Sequence, residues 1–248
     1  MDEYSDVETR VRALRVDGAQ VESYGSVAGK PLLCVRVSAL APGAPSVLLT
    51  GGVHGDEPAG VEAVLRFLER EVAEHARSFG WLVAPCVNPV GYAASTRENA
   101  DGADINRAFD TDPTPESTAL KALLGEAPFV FAVDFHEDWE AKGFYMYEGV
   151  RDRPAAGSDV VRAVAEVGNI DSDGDPDNDD DTNNAPTAPG VYPVATSWGT
   201  MGLAPYLLAT NTRHVVITET PSRAWDMETR AQAHLRALGV LLDRYADR

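Results

Sequence analysis

Leu49-Thr50-Gly51-Gly52-Val53-His54-Gly55-Asp56-Glu57 is the stretch on which the fold turns. An apolar run ending in two glycines reads as a buried strand that breaks into a tight turn. Directly after it stand an imidazole and a carboxylate three residues apart. That spacing lets both reach one metal ion as a helix begins, and Zn²⁺ accepts nitrogen and carboxylate oxygen alike. With five His and seventeen Glu in 248 residues, such a pair arises by chance about one time in three. The surrounding sequence has to decide.

A hydrolytic zinc site needs three protein ligands and one open position. The candidate for the third ligand is His136, which closes the apolar run Phe129-Val130-Phe131-Ala132-Val133-Asp134-Phe135. A further run, His214-Val215-Val216-Ile217-Thr218, ends at Glu219. Short apolar runs of this kind read as buried strands, and open α/β sheets place their sites beyond the carboxyl ends of the strands. Three strand ends would then deliver His54 with Glu57, His136 and Glu219 to one edge. Asp134 is read as turned to the other face of its strand, structural and not a ligand.

Working outward, residues 57–77 carry apolar positions Val61, Val64, Leu65 and Leu68 at helical spacing, with Pro58 tolerated in the first turn. Strands are expected around residues 21–24, 32–37 and 81–87, and helices at about 116–124, 158–167 and 225–245. Residues 88–115 read as polar and irregular. Strands alternating with helices define an α/β protein with a mixed, mostly parallel sheet flanked by helices on both faces. The absence of repeats or a domain boundary makes residues 1–248 one expected domain, with an acidic loop insertion at about 171–190. The aspartates of 171–181 have calcium-like alternation. However, Pro176 and Thr182 stand where a helix–loop–helix calcium site needs Gly and Glu, so a solvated acidic loop is favoured.

The net charge of −18, with only three Lys among 21 basic residues, disfavours nucleic acid and anionic membranes as partners. No apolar stretch nears the roughly 20 residues that span a bilayer. The acidic N-terminus lacks the pattern of a signal peptide, so a cytoplasmic location is expected. Cys34 and Cys86 sit in apolar runs and read as buried free thiols.

Between the second and third metal candidates lie Asn88-Pro89-Val90-Gly91-Tyr92, Arg97, and Asp104-Ile105-Asn106-Arg107-Ala108-Phe109. An Arg fork grips a carboxylate or steadies a developing oxyanion. The order Gly-Gly-x-His-x-x-Glu, Asn-Pro-x-Gly-Tyr, Arg, Asp-x-Asn-Arg-x-Phe, strand-His, strand-Glu resembles the zinc carboxypeptidase family. In its shortness it is similar to the branch of succinylglutamate desuccinylase and aspartoacylase. The resemblance covers residues 48–221 in ordered pieces. It implies one Zn²⁺ per chain, held by His54, Glu57 and His136. Arg97 would polarise the scissile carbonyl, Asn106 and Arg107 would hold the substrate's carboxylate, and Glu219 would be the general base.

The function so implied is hydrolysis of an amide bond beside a free carboxylate, in a small peptide or an N-acyl amino acid. The alternatives are a catalytically silent small-carboxylate binding protein on the same scaffold and a Ca²⁺-linked module at 171–181. The family's capping tyrosine could be Tyr145, Tyr147, Tyr192 or Tyr206, though core packing is the preferred reading of each. The acidic run from Glu137 to Glu140 could orient ligands, bind a second cation or favour a basic substrate, and a solvated acidic turn is at least as good a reading. His75, His214 and His234 read as residues without partners.

Overall fold

A computed structural model describes residues 3–172, 185–194 and 199–246. Eight strands form one sheet in the order β1-β2-β4-β3-β5-β8-β6-β7. They are β1 (Ala19–Val27), β2 (Lys30–Val37), β3 (Ser46–Gly51), β4 (Gly80–Ala84), β5 (Phe131–Asp138), β6 (Tyr145–Val150), β7 (Val191–Pro193) and β8 (His214–Pro221). The central strands β4, β3, β5 and β8 run parallel, and antiparallel pairings join β1 to β2, β2 to β4 and β6 to β8. The expected mixed, mostly parallel α/β sheet is the one found.

Helices cover both faces because the central strands are apolar on both sides. Apolar side chains of α1 (Glu3–Ala13), α2 (Pro58–Arg70), α6 (Gly157–Val164) and α8 (Met227–Ala246) pack on one face. Those of α5 (Pro115–Leu124) and α7 (Leu203–Thr210) pack on the other. The two short helices left, α3 (Val72–His75) and α4 (Pro89–Ala94), follow α2 and β4. The expected long helix from residue 57 therefore breaks at Glu71, between α2 and α3.

The stretch after residue 88 is less irregular than expected. Asn88 caps α4, its side chain accepting from Gly91 N, and Pro89 takes the first helical position. That is a readable start signal. Both cysteines are buried and unbonded, as expected. Of the acidic run, only Asp171 and Ser172 fall within the described residues, so the loop and calcium readings lie outside them. Among the described residues no helix is long and apolar enough to cross a membrane.

Two histidines expected to lack partners have them. His214 meets Glu148 Oε1 through Nε2 at 2.9 Å and the Tyr245 hydroxyl through Nδ1 at 2.7 Å. His234 sits between the hydroxyls of Thr218 and Thr220, at 2.7 and 3.2 Å, and burial pushes it down to about 3. The third, His75, stacks on Phe67 with ring centroids 6.0 Å apart. Both buried histidines are fully enclosed, and enclosed polar groups need hydrogen-bond partners.

Candidate metal centre

From β3 the chain crosses to β4 on one side, then returns to β5 on the other. Strand order reverses at β3/β5, the place where open α/β sheets leave a crevice beyond their carboxyl ends. Register fixes what reaches that crevice: Gly51 pairs with Phe135, and His136 with Glu219 on β8. Beyond β3 the chain turns at Gly52, whose φ of +61° suits glycine. It then passes Gly55, where a β-carbon would lie 2.0 Å from the Gly91 carbonyl carbon. This close approach seats the segment carrying His54 and Glu57 against α4.

His54, Glu57 and His136 are all buried, and one ligand atom of each lies within 4.8 Å of the others. His54 Nδ1 is 2.6 Å from Glu57 Oε1, His136 Nδ1 is 2.8 Å from Glu57 Oε2, and the two Nδ1 atoms are 3.2 Å apart. Each outer ring nitrogen faces its own carboxylate: His54 Nε2 meets Asp104 Oδ1 at 3.1 Å, and His136 Nε2 meets Asp134 Oδ2 at 2.8 Å. An imidazole that donates outward keeps its inner lone pair free, the usual arrangement of histidines on a metal. Two inward lone pairs and one carboxylate, enclosed together, fit a single Zn²⁺.

The electrostatics reflect the same convergence. Burial alone would lower His54 and His136. Glu57 with Asp104 outweighs it at His54, and Asp134 with Glu57 outweighs it at His136, so both rise above the ordinary imidazole value. Burial alone would raise Glu57, but the two imidazoles hold it well below the carboxylate range. Asp104 is lowered too, His54 and Arg97 overcoming its burial. A bound cation would take the place of the protons that these groups otherwise share.

Asp134 lies outside the group that could hold the ion, as expected, but the face expected of it is corrected. Strand side chains repeat every two residues, so Asp134 and His136 share a face. Asp134 orients His136 and is fixed by the Thr50 hydroxyl at 2.7 Å. Its Asp-x-His spacing was the available signal.

A cavity of about 250 Å³ opens beside the triad, and Arg97, Asn106, Arg107 and Glu219 all line it. Arg97 is held by Asp104 at 3.0 Å and lies 3.7 Å from Glu57. Its loop hangs from Asn88, whose amide donates to the carbonyls of Arg97 and Glu98. Asn106 accepts from Leu203 N at the start of α7, and Arg107 is exposed. Glu219 is 9% exposed. Of the four tyrosines, Tyr145 and Tyr147 line the cavity, with the Tyr145 hydroxyl donating to Asp138. Tyr192 packs against both of them, and Tyr206 packs against Phe109. At the cavity edge Trp139 is exposed beneath the Arg223 guanidinium, 4.1 Å from its ring centre.

Fold and triad together define an α/β protein with an enclosed site for one divalent cation. The chain belongs to the zinc carboxypeptidase family, whose model matches residues 17–139, about half of the chain. Carboxypeptidase E of Caenorhabditis elegans is 27% identical over 165 residues, covering 45% of this chain and 35% of that protein. Murein peptide amidase A of Escherichia coli is 38% identical over 92 residues, 36% of this chain and 35% of the amidase. The N-alpha-acetyl-L-2,4-diaminobutyric acid deacetylase of Halomonas elongata is 37% identical over 70 residues, 28% of this chain and 20% of the deacetylase. The chain thus spans about a third or less of the length of these curated relatives. In fold it is similar to a candidate metallopeptidase from Shewanella amazonensis (TM-score 0.82, 23% identity, 99% of this chain and 93% of that one). A metallo-carboxypeptidase from Burkholderia cenocepacia shares the fold at a TM-score of 0.70, with 16% identity over 98% of this chain and 68% of that one.

Proposed function

We propose that the protein is a zinc-dependent hydrolase that cleaves an amide bond beside a free carboxylate in a small peptide or N-acyl amino acid. The observation that carries this reading is the enclosed His54–Glu57–His136 triad opening on one cavity that also holds Arg97 and Glu219. The cavity volume of about 250 Å³ suits a small substrate. A deacetylase and an amidase, at 37% and 38% identity over short segments, stand among the relatives beside carboxypeptidases such as that of Caenorhabditis elegans, which supports amide hydrolysis with either kind of substrate.

Zn²⁺, when bound, supplies the Lewis acidity that makes water a nucleophile at neutral pH. The chain's own groups do the rest. Asn106 and Arg107 hold the substrate's carboxylate, which fixes the scissile bond over the triad. Arg97 faces the oxygen on which negative charge develops. Glu219, in register with His136 on the neighbouring strand, takes the proton of the attacking water and returns it to the departing amine.

The test joins metal analysis of purified protein with a mass-spectrometric screen of dipeptides and N-acyl amino acids. About one zinc per chain and turnover of at least one compound are expected. Glu219→Gln should keep the zinc and lower kcat about 100- to 10,000-fold, the range for a general base. Full activity in that variant removes Glu219 from the reaction. Binding without turnover across the screen favours a silent carboxylate-binding protein.

A further inference from the structure

Glu57 occupies the N-cap position of α2, where a polar side chain normally accepts hydrogen bonds from the first free amides of a helix. Its carboxylate is turned to the two imidazoles instead and makes no cap hydrogen bond. Pro58 has no amide hydrogen, so the first donor left over belongs to Ala59. That amide donates to Glu137 Oε1 at 2.6 Å, from the end of β5. The Glu137 amide in turn donates to Glu57 Oε2 at 3.1 Å. One residue therefore caps the ligand-bearing helix, follows ligand His136 in the chain and steadies the carboxylate of ligand Glu57.

The Glu137 side chain is wholly enclosed, at 0% exposure, and its other oxygen accepts from Arg230 Nη1 on α8. Arg230 is itself 11% exposed. One turn further along, His234 contacts Thr218 and Thr220 and stacks on Phe135, ring centroids 4.6 Å apart. The last helix is thus fastened beneath the ends of β5 and β8, on the face opposite His136. An enclosed carboxylate with no counter-charge is strongly unfavourable. Without Arg230, the second oxygen of Glu137 would lose its partner, and the carboxylate would turn away from Ala59 N.

We propose that Arg230 is a positioning residue for the metal centre, a reading that rests on the zinc assignment above. By balancing Glu137 it holds that carboxylate on Ala59 N and, through the Glu137 amide, keeps Glu57 aimed at the ion. Arg230 is not among the three groups that would hold the cation.

Zinc dissociation constants of chelator-stripped protein, from competition with a chromogenic chelator, test this beside the melting temperature of the same metal-free samples. Arg230→Met should raise the zinc Kd about ten- to a hundredfold, the usual effect of losing a group that orients a ligand. Arg230→Lys should restore most of the affinity by returning the charge. Glu137→Gln added to Arg230→Met should also recover affinity, because it removes the stranded charge yet leaves an acceptor for Ala59 N. Arg230→Gln gives the same readout should the Met variant not fold. A wild-type zinc Kd in Arg230→Met overturns the inference. So does a loss of melting temperature in the variants with no change in Kd. A wild-type protein that does not bind zinc overturns the metal assignment itself, and this inference with it.

Discussion

Gly55→Ala tests the seating of the metal-bearing segment most directly. A β-carbon there would meet the Gly91 carbonyl carbon at 2.0 Å and the Tyr92 amide nitrogen at 2.2 Å. Ordinary contact begins near 3.4 Å, so the two segments must part by about 1.4 Å. Both contacts are backbone, leaving no rotamer through which to escape. Overpacking of this kind costs about 1–3 kcal/mol or more. At roughly 2–4 °C per kcal/mol for a chain of this size, the metal-free protein should melt about 3–10 °C lower. The larger effect falls on the ion. Metal–ligand distances tolerate about 0.2 Å, and His54 directly precedes the residue that moves. Zinc affinity should fall at least about 100-fold, with activity lost in parallel. Gly239→Ala is the control: nothing lies within 4 Å of its added carbon inside α8, so it should stabilise by about 0.5–1 kcal/mol. Circular-dichroism melts and chelator competition read both variants. A Gly55→Ala protein that melts within about 1 °C of wild type and binds zinc within a few-fold would refute the packing argument.

Metal-free protein should lose stability as the pH rises through and above neutrality. His54 and His136 are raised when folded, so their pairing with Glu57 adds stability below the unfolded imidazole value and loses it as pH climbs through the raised values. The melting temperature of stripped protein should therefore fall from pH 6 to pH 9. Zinc affinity should rise over the same span because the metal displaces those protons, and calorimetry in buffers of differing ionisation heat counts them. Asp134→Asn, which keeps a hydrogen-bonding group against His136 but removes the charge, should weaken zinc binding about tenfold or more in chelator competition. Glu148→Ala strands a ring nitrogen of His214 and the amides of Ala156 and Gly157, and should cost about 1–3 kcal/mol or more in urea unfolding with zinc affinity unchanged.

The central sheet was legible because β3, β5 and β8 are enclosed on both sides and therefore read as unbroken apolar runs. Their ends announce His54, His136 and Glu219. Helix α2 was legible from its apolar spacing, its stop at Glu71 less so. Helix α7 carries Pro205 and is apolar on most sides, which hides its period. Strand β7 is three residues long, too short for any period to register. At the site, the sequence pointed to three candidate metal ligands that the fold brings together, whereas the supports of those residues depend on contacts distant in the chain. Glu137 with Arg230 joins positions 93 apart, and Glu116 holds Asn99, which in turn fixes the loop that brings Asp104 to His54. Asp134 was within reach of strand periodicity alone.

Of the groups that would hold and orient the ion, His54, His136 and Asp134 ride on or closely follow two adjacent parallel strands, β3 and β5. Much of the cavity wall, from Trp139 and Glu140 to Met201 and Gly202, comes from connecting segments. The frame for the ion is therefore largely strand-borne, whereas Trp139, Glu140, Met201 and Gly202 belong to connections that hold none of the three groups that would hold it. Exchanging those connections should retune which compound is accepted while the ion stays put, which makes this small scaffold a practical starting point for building amidases of new selectivity.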